Sequence, residues 1–362
     1  VDARAGHIGQ YSSIALDQSG SPHISYIDFH HYYPEEWCVM YAHRNDGGWD
    51  LEYVDTVGFL IRPTSLAIKN DGTPIIAYYD GVNKDLKCAF KNGASWLRET
   101  VDSSGDVGEG ASIALDSNDY PHISYYDRSN SKLKYAKRDG SSWVIEIVDS
   151  SEYAGWTGCI SMALDQNSGP HVAYRGLGGV LKYAKRSGSS WLIERVGEDR
   201  PTELSLALDS NNDPHIAYGA AFDDELGEHY VNLTIASKGG IGWNIESVGV
   251  NMDAGLSLAL DLSNNPHIAY EGTANNGDLS YARKIVPSDT TPPTISSVSP
   301  EDGATNVPID TVVTATFSEA MDSSTITTES FTLAGSEVSR TVEYDPTTYT
   351  ATFTPDANLD YD

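Results

Sequence analysis

The stretch from Asp116 to Asp127 reads DSNDYPHISYYD, and the chain writes it six times with small changes. Aligned on the proline, the other copies are DQSGSPHISYID ending at Asp28, KNDGTPIIAYYD at Asp80, DQNSGPHVAYRG at Gly176, DSNNDPHIAYGA at Ala220 and DLSNNPHIAYEG at Gly272. Pro22, Pro74, Pro121, Pro170, Pro214 and Pro266 therefore lie 52, 47, 49, 44 and 52 residues apart. A period of that length marks a repeat architecture before any single element is assigned.

Each unit carries four short runs of strand character. In the third they are SIALD (Ser112 to Asp116), PHISYYD (Pro121 to Asp127), LKYAKR (Leu133 to Arg138) and WVIEIVD (Trp143 to Asp149). Clusters such as RDGSS separate them, which is turn chemistry, and no helical period interrupts them. Four strands per repeat around a ring make the blade of a β-propeller, so six copies predict six four-stranded blades. The sixth unit stops after LSYARK (Leu279 to Lys284) with no tryptophan-led fourth strand. Val1-Asp2 matches the Val-Asp pair that ends a fourth strand at Val54-Asp55, Val101-Asp102 and Val148-Asp149. The N-terminus is therefore expected to supply the outer strand of the last blade, in a natural protein that continues upstream.

The blade period ends near residue 286. PSDTTPPT is a stiff Pro/Thr linker over 287–294. Beyond it the alternating runs TVVTATFS and YTATFTP predict a second all-β unit over 295–362. The segment PPTISSVSPEDGATNVPIDTVVTATFSEAMD, with the later YTATFTPDANLDYD, resembles the bacterial Ig-like domains of S-layer and other surface proteins. That resemblance implies an Ig-like β-sandwich, incomplete here because a final strand is missing, and a place at the cell exterior within a larger multidomain chain. The blade phrase over residues 1–286 resembles repeats of secreted bacterial and archaeal proteins with the pattern ALDS.G.PHISYYD, which strengthens the fold and leaves the chemistry open.

Charge narrows the partners. Twenty-three Lys and Arg against 52 Asp and Glu leave a formal charge of -29, and Arg340 is the only basic side chain after Lys284. Nucleic acid, which needs a basic footprint, is excluded as the expected partner. No run is apolar enough to insert in a membrane. Cys38, Cys88 and Cys159 are odd in number and lack metal-site spacing, so buried thiols are expected rather than a disulfide framework.

His23, His122, His171, His215 and His267 share one position, at which the second repeat places Ile75. Exchange with Ile favours a packed, hydrogen-bonded imidazole over a metal or proton role. Asp17, Asp116, Asp165, Asp209 and Asp261 begin the preceding turn and suit Asx capping, while Trp49, Trp96, Trp143, Trp191 and Trp243 open fourth strands and suit packing between blades.

Because strands alternate in direction, loops after strands two and four emerge on one face, and only that face varies. It carries FHHYYPEEW in the first repeat, SSEYAGWTG after the third and AAFDDELGEHY in the fifth. Trp37 and Trp156, the two tryptophans outside the repeat register, lie there with His30, His31, Tyr32, Tyr33, Tyr153 and Tyr230. Exposed aromatics beside carboxylates on a rigid scaffold suit stacking on sugar rings or anchoring a cell-surface protein; burial of those aromatics under their own loops is the plainer alternative. The same rim ends in Asp28, Asp80 and Asp127 in repeats one to three and in Gly176, Ala220 and Gly272 in four to six, with Arg175 one residue earlier. Such a rim would hold a polyol or a cation such as calcium, or would merely cap strand ends. His30, His31, Glu35 and Glu36 form a generic metal cluster at most. The expected role is an extracellular, non-catalytic binding or adhesion module. The alternatives are a glycoside hydrolase or lyase using rim carboxylates and an architectural surface-layer component.

Overall fold

The structure, a computed structural model, describes residues 8–30, 36–45, 47–58, 63–151, 153–155, 159–223, 229–239, 242–273, 278–283, 293–319, 321, 323–332 and 339–359. Two compact units divide at Ile285 and Val286. The first is an all-β propeller. Blade one pairs Ile8–Leu16, Pro22–His30, Glu36–Asn45 and Gly48–Gly58 in that order; blade two pairs Ser65–Ile68, Pro74–Asp80, Asp85–Asn92 and Ser95–Asp102. Blade three repeats the pattern with Val107–Leu115, Pro121–Asp127, Lys132–Asp139 and Ser142–Asp149, and blade four with Ile160–Leu164, Pro170–Arg175, Leu181–Ser187 and Ser190–Gly197. In blade five, Arg200–Leu208, Pro214–Asp223 and His229–Gly239 are followed by a single long strand, Gly242–Leu260. Its first half closes blade five and its second half opens blade six, which continues with Pro266–Gly272 and Leu279–Arg283.

Burial explains the sequence pattern. All seven residues of Pro74–Asp80 and of Pro121–Asp127 are buried, because blades stack on both faces of these strands. Five of the six apolar clusters among the described residues span one blade and the next; Ile75, Leu86 and Cys88 of blade two, for example, pack against Val107, Ile123 and Tyr125 of blade three. The turn after strand one has its own demand, a residue in the left-handed region at one fixed place. Gly20, Gly72, Asp119, Ser168, Asn212 and Asn264 take it with φ between 62° and 83°. That is why the turns differ in letters yet draw on the same small, polar set.

A ring of serines stitches neighbouring blades. The hydroxyls of Ser13, Ser65, Ser112, Ser161 and Ser205 accept the backbone N–H groups of Leu66, Ile113, Met162, Leu206 and Leu258 in the following blade, at 3.0–3.1 Å. They border a central cavity of about 720 Å³ that first strands of all six blades line. Among the described residues, no such bond joins blades six and one. Leu279 and Tyr281 are 85% and 59% exposed, whereas their counterparts in blade three, Leu133 and Tyr135, are 0% and 3% exposed. Ile14 and Leu16 of blade one are also exposed. The strand expected from Val1-Asp2 falls outside the described residues.

The second unit forms one four-stranded sheet in the order Ile295–Ser299, Val313–Phe317, Thr350–Pro355, Arg340–Asp345. Ala315, Ala351 and Phe353 are buried, and Phe331 meets Phe353 edge-on. The cysteines carry no disulfide: Cys88 and Cys159 are buried and Cys38 half-buried, and burial pushes the Cys88 thiol well above its ordinary range.

Candidate ligand-binding site

The repeated polar residues occupy positions that hold the blades together. In blade three, His122 Nδ1 shares a hydrogen bond of 2.6 Å with Tyr135 Oη, and its Nε2 lies 3.5 Å from Asp116 Oδ2. The other oxygen of Asp116 accepts the N–H groups of Asn118 and Tyr120 at 2.9 Å, the Asx arrangement its place in the turn calls for. His23, His171 and His267 make the same pair of contacts with Tyr41 and Asp17, Tyr183 and Asp165, and Tyr281 and Asp261. In blade two all three partners change together, to Lys69, Ile75 and Cys88. Burial holds the His122 imidazole down at about 4, with Lys137 acting the same way, so it is neutral in the fold at pH 7. Further out, Trp96 and Trp243 donate to Glu52 and Glu194 of the preceding blade, where Lys91 and Lys238 also pair.

The acidic half-rim expected from Asp28, Asp80 and Asp127 is corrected by burial. Their exposures are 2%, 1% and 0%. Asp80 accepts the N–H groups of Val82 and Asn83 and pairs with Lys87 at 2.6 Å; Asp127 accepts Asn130 and pairs with Lys134 at 3.1 Å. Lys134 also reaches Asp102 at 2.9 Å, and Asp102 accepts a hydrogen bond from the Tyr125 hydroxyl at 2.7 Å. Burial would raise the Asp80 and Asp102 carboxyls, but their lysines and hydroxyl or amide donors hold them below the usual range. Asp80 and Asp127 cap the turns that follow their own strands, Asp102 binds blade two to blade three, and the buried side chains do not form an open rim. Repeat position carried the signal, since Lys87, Lys134 and Lys182 stand in register.

Among the other predicted residues, Trp37 is half-buried and packs against the core shared by blades one and two. Tyr230 lies in the long hairpin of blade five, opposite Phe222, with the rings stacked at 5.7 Å and both exposed. His31, Tyr32, Tyr33 and Trp156 lie outside the described residues, as does the side chain of His30. Among the described residues, no group of three or more His, Cys, Asp or Glu side chains is placed to hold a metal ion.

Two predicted residues do meet. Tyr153, in the loop from blade three to blade four, and Arg175, at the end of strand two of blade four, line a pocket of about 430 Å³ with Arg200, Leu177 and the glycines around it. Gly155 N–H donates to the Arg175 carbonyl at 2.7 Å, which ties the Tyr153 loop to that strand. The turn Gly176–Gly179 closes through Gly179 N–H to Gly176 O at 3.1 Å. Gly179 has φ +83°, and a Cβ there would come within 2.8 Å of Arg200 Cγ. Glycine at this position therefore lets the Arg200 stem lie over the turn. Tyr153 has φ +58°, uncommon for a bulky residue, and its side chain is exposed. Arg175 Nη1 donates to Pro201 O at 3.2 Å, beside Arg200. Sequence reading missed Arg200 because it opens a first strand ahead of the repeated phrase; its signal was the second arginine within 25 positions on the one face where repeats diverge.

The family of bacterial Ig-like domains matches residues 289–362. No curated protein matches the chain. Among solved structures, the SapL1 lectin in complex with alpha methyl fucoside is 13% identical over 76% of this chain and 92% of its own, with a TM-score of 0.51. The fucose-specific lectin from Aleuria aurantia is 14% identical over 76% and 91%, with a TM-score of 0.50. The intramolecular trans-sialidase from Ruminococcus gnavus is 10% identical over 76% and 94%, at 0.44. Identities this low speak to the fold. The chain is a β-propeller with a bacterial Ig-like domain at its C-terminal end.

Proposed function

We propose that this chain is an extracellular, non-catalytic recognition module that binds carbohydrate on the propeller face where the loops vary, with the Ig-like unit as a spacer at a cell surface. The observation that carries this reading is the pocket of Tyr153, Arg175 and Arg200, which combines an exposed aromatic ring with guanidinium donors on a rigid scaffold. The fold supports it, since the SapL1 and Aleuria aurantia proteins that share it are lectins. Ig-like domains of this family support a surface setting. No helix is long and apolar enough to cross a membrane among the described residues. The hydrolase or lyase alternative relied on Asp28, Asp80 or Asp127, whose side chains are buried.

A glycan array probed with the full chain tests the proposal, with and without a calcium chelator. The expected result is a restricted set of bound saccharides, lost on Tyr153→Ala and left uncleaved after prolonged incubation. Release of reducing ends would move the chain to the enzyme reading, and a blank array would turn the face into a protein-docking surface.

A further inference from the structure

We infer that the pocket between blades four and five is selective for an acidic saccharide, one whose ring carries a carboxylate or a sulfate. The inference rests on the carbohydrate reading above and adds the charge of the ligand. Across a chain of net charge -29, this pocket is lined, among the described residues, by two arginines and by no carboxylate. In blades two to four, four basic side chains that lie in or near the blade junctions are engaged by acids: Lys87 by Asp80, Lys134 by Asp127 and Asp102, Lys182 by Asp149, and Arg186 by Glu146. Arg200 is exposed and has no ion pair among the described residues. Of the acids just before it in sequence, Glu198 pairs with Arg195, and Asp199 accepts a hydrogen bond from the Tyr218 hydroxyl.

The charge follows from how blade four departs from blade three. Where strand two of blade three ends in buried Tyr126 and Asp127, blade four places Arg175 and Gly176. The rim thus loses a carboxylate and gains a guanidinium at adjacent positions. Guanidinium groups fork onto the paired oxygens of a carboxylate or sulfate, and gain most where few acids compete. Tyr153 and Leu177, 42% and 54% exposed, supply the apolar faces on which a sugar ring lies. A peptide recognised in extended form would instead pair with a free sheet edge, whereas three loops bound this pocket.

Isothermal titration of the full chain with four probes tests this: an oligogalacturonate, a sulfated galactan oligosaccharide, a neutral galactan oligosaccharide of the same length, and a polyglutamate peptide. At least one acidic saccharide probe is expected to bind ten-fold or more tightly than the neutral one and to weaken as salt rises, since exposed charges are screened. Arg200→Gln is expected to remove that preference with the thermal midpoint unchanged, because the side chain is exposed; Arg175→Gln reports on the second guanidinium. Which acidic probe binds distinguishes carboxylate from sulfate. Equal binding of neutral and acidic probes, with Arg200→Gln silent, would overturn the acidic selectivity and leave the carbohydrate reading standing. Equal binding of a polyglutamate peptide would overturn the saccharide assignment, and no binding of any sugar would end both.

Discussion

Blades three and four are written in nearly the same words and end differently on the same face. In blade three, Asp127 turns back on its own turn and on Lys134; in blade four, Gly176 puts no carboxylate at that place, the Lys182 stem passes over it, and Arg175 stands beside it in a pocket with Tyr153 and Arg200. Residues that recur are engaged with one another. Of the residues that break the recurrence, Ile75 and Cys88 pack in the core, while Tyr153 and Arg175 line an open site. Repetition in a ring reports the requirements of packing, because every junction must satisfy the same buried polar groups, while recognition needs one asymmetric place.

That contrast breaks most visibly at a recurring core residue. Tyr125 is fully buried and donates to Asp102 across the blade junction. Tyr125→Ala is expected to destabilise the propeller by about 3–5 kcal/mol, read by denaturant titration. A loss under about 1 kcal/mol would mean that the junctions do not carry the fold.

Acid should act next. The His122 pKa falls from an ordinary 6.5 to about 4, so the folded state disfavours the charged ring. Stability is full above pH 6.5 and declines as pH falls through 6.5 towards 4, by roughly 3 kcal/mol from this residue. Buried His23 and His171, lowered by the same cause, decline with it. Glu203, whose carboxyl is raised by burial and by Glu271, works the other way, since it is strained when ionised. Thermal midpoints between pH 4 and 8 check the balance, and a midpoint that rises on acidification would contradict the histidine assignment.

Smaller and sharper is the coupling within the triad. His122→Leu, Tyr135→Phe and the double variant should show an interaction energy of about 1 kcal/mol, because either change alone strands the other's polar atom. Strict additivity would reduce the triad to coincident packing.

The fold was legible because turn, strand and proline recur in order, and each recurrence has a physical reason that the structure displays. The serine before each IALD-like run is more constant than the histidine, appearing in all six repeats, and among the described residues bridges five of the six blade junctions. The site was legible only in part. Tyr153 and Arg175 stood out as departures from the repeat, but pairing between strands cannot be read from either strand alone, so the lysines that neutralise Asp80 and Asp127 were overlooked. Arg200 was hidden by belonging to the next blade, which only the closing of loops brings beside the previous one.

The most direct test sets Asp127→Asn against Arg200→Gln, measuring thermal midpoint and acidic-saccharide affinity for both. Asp127→Asn is expected to lower stability by about 1–3 kcal/mol, a shift of a few degrees, and to leave affinity unchanged. Arg200→Gln is expected to leave the midpoint in place and weaken binding at least ten-fold. The reverse pattern, with Asp127 governing affinity and Arg200 stability, would contradict the division between a repeated scaffold and an asymmetric binding rim.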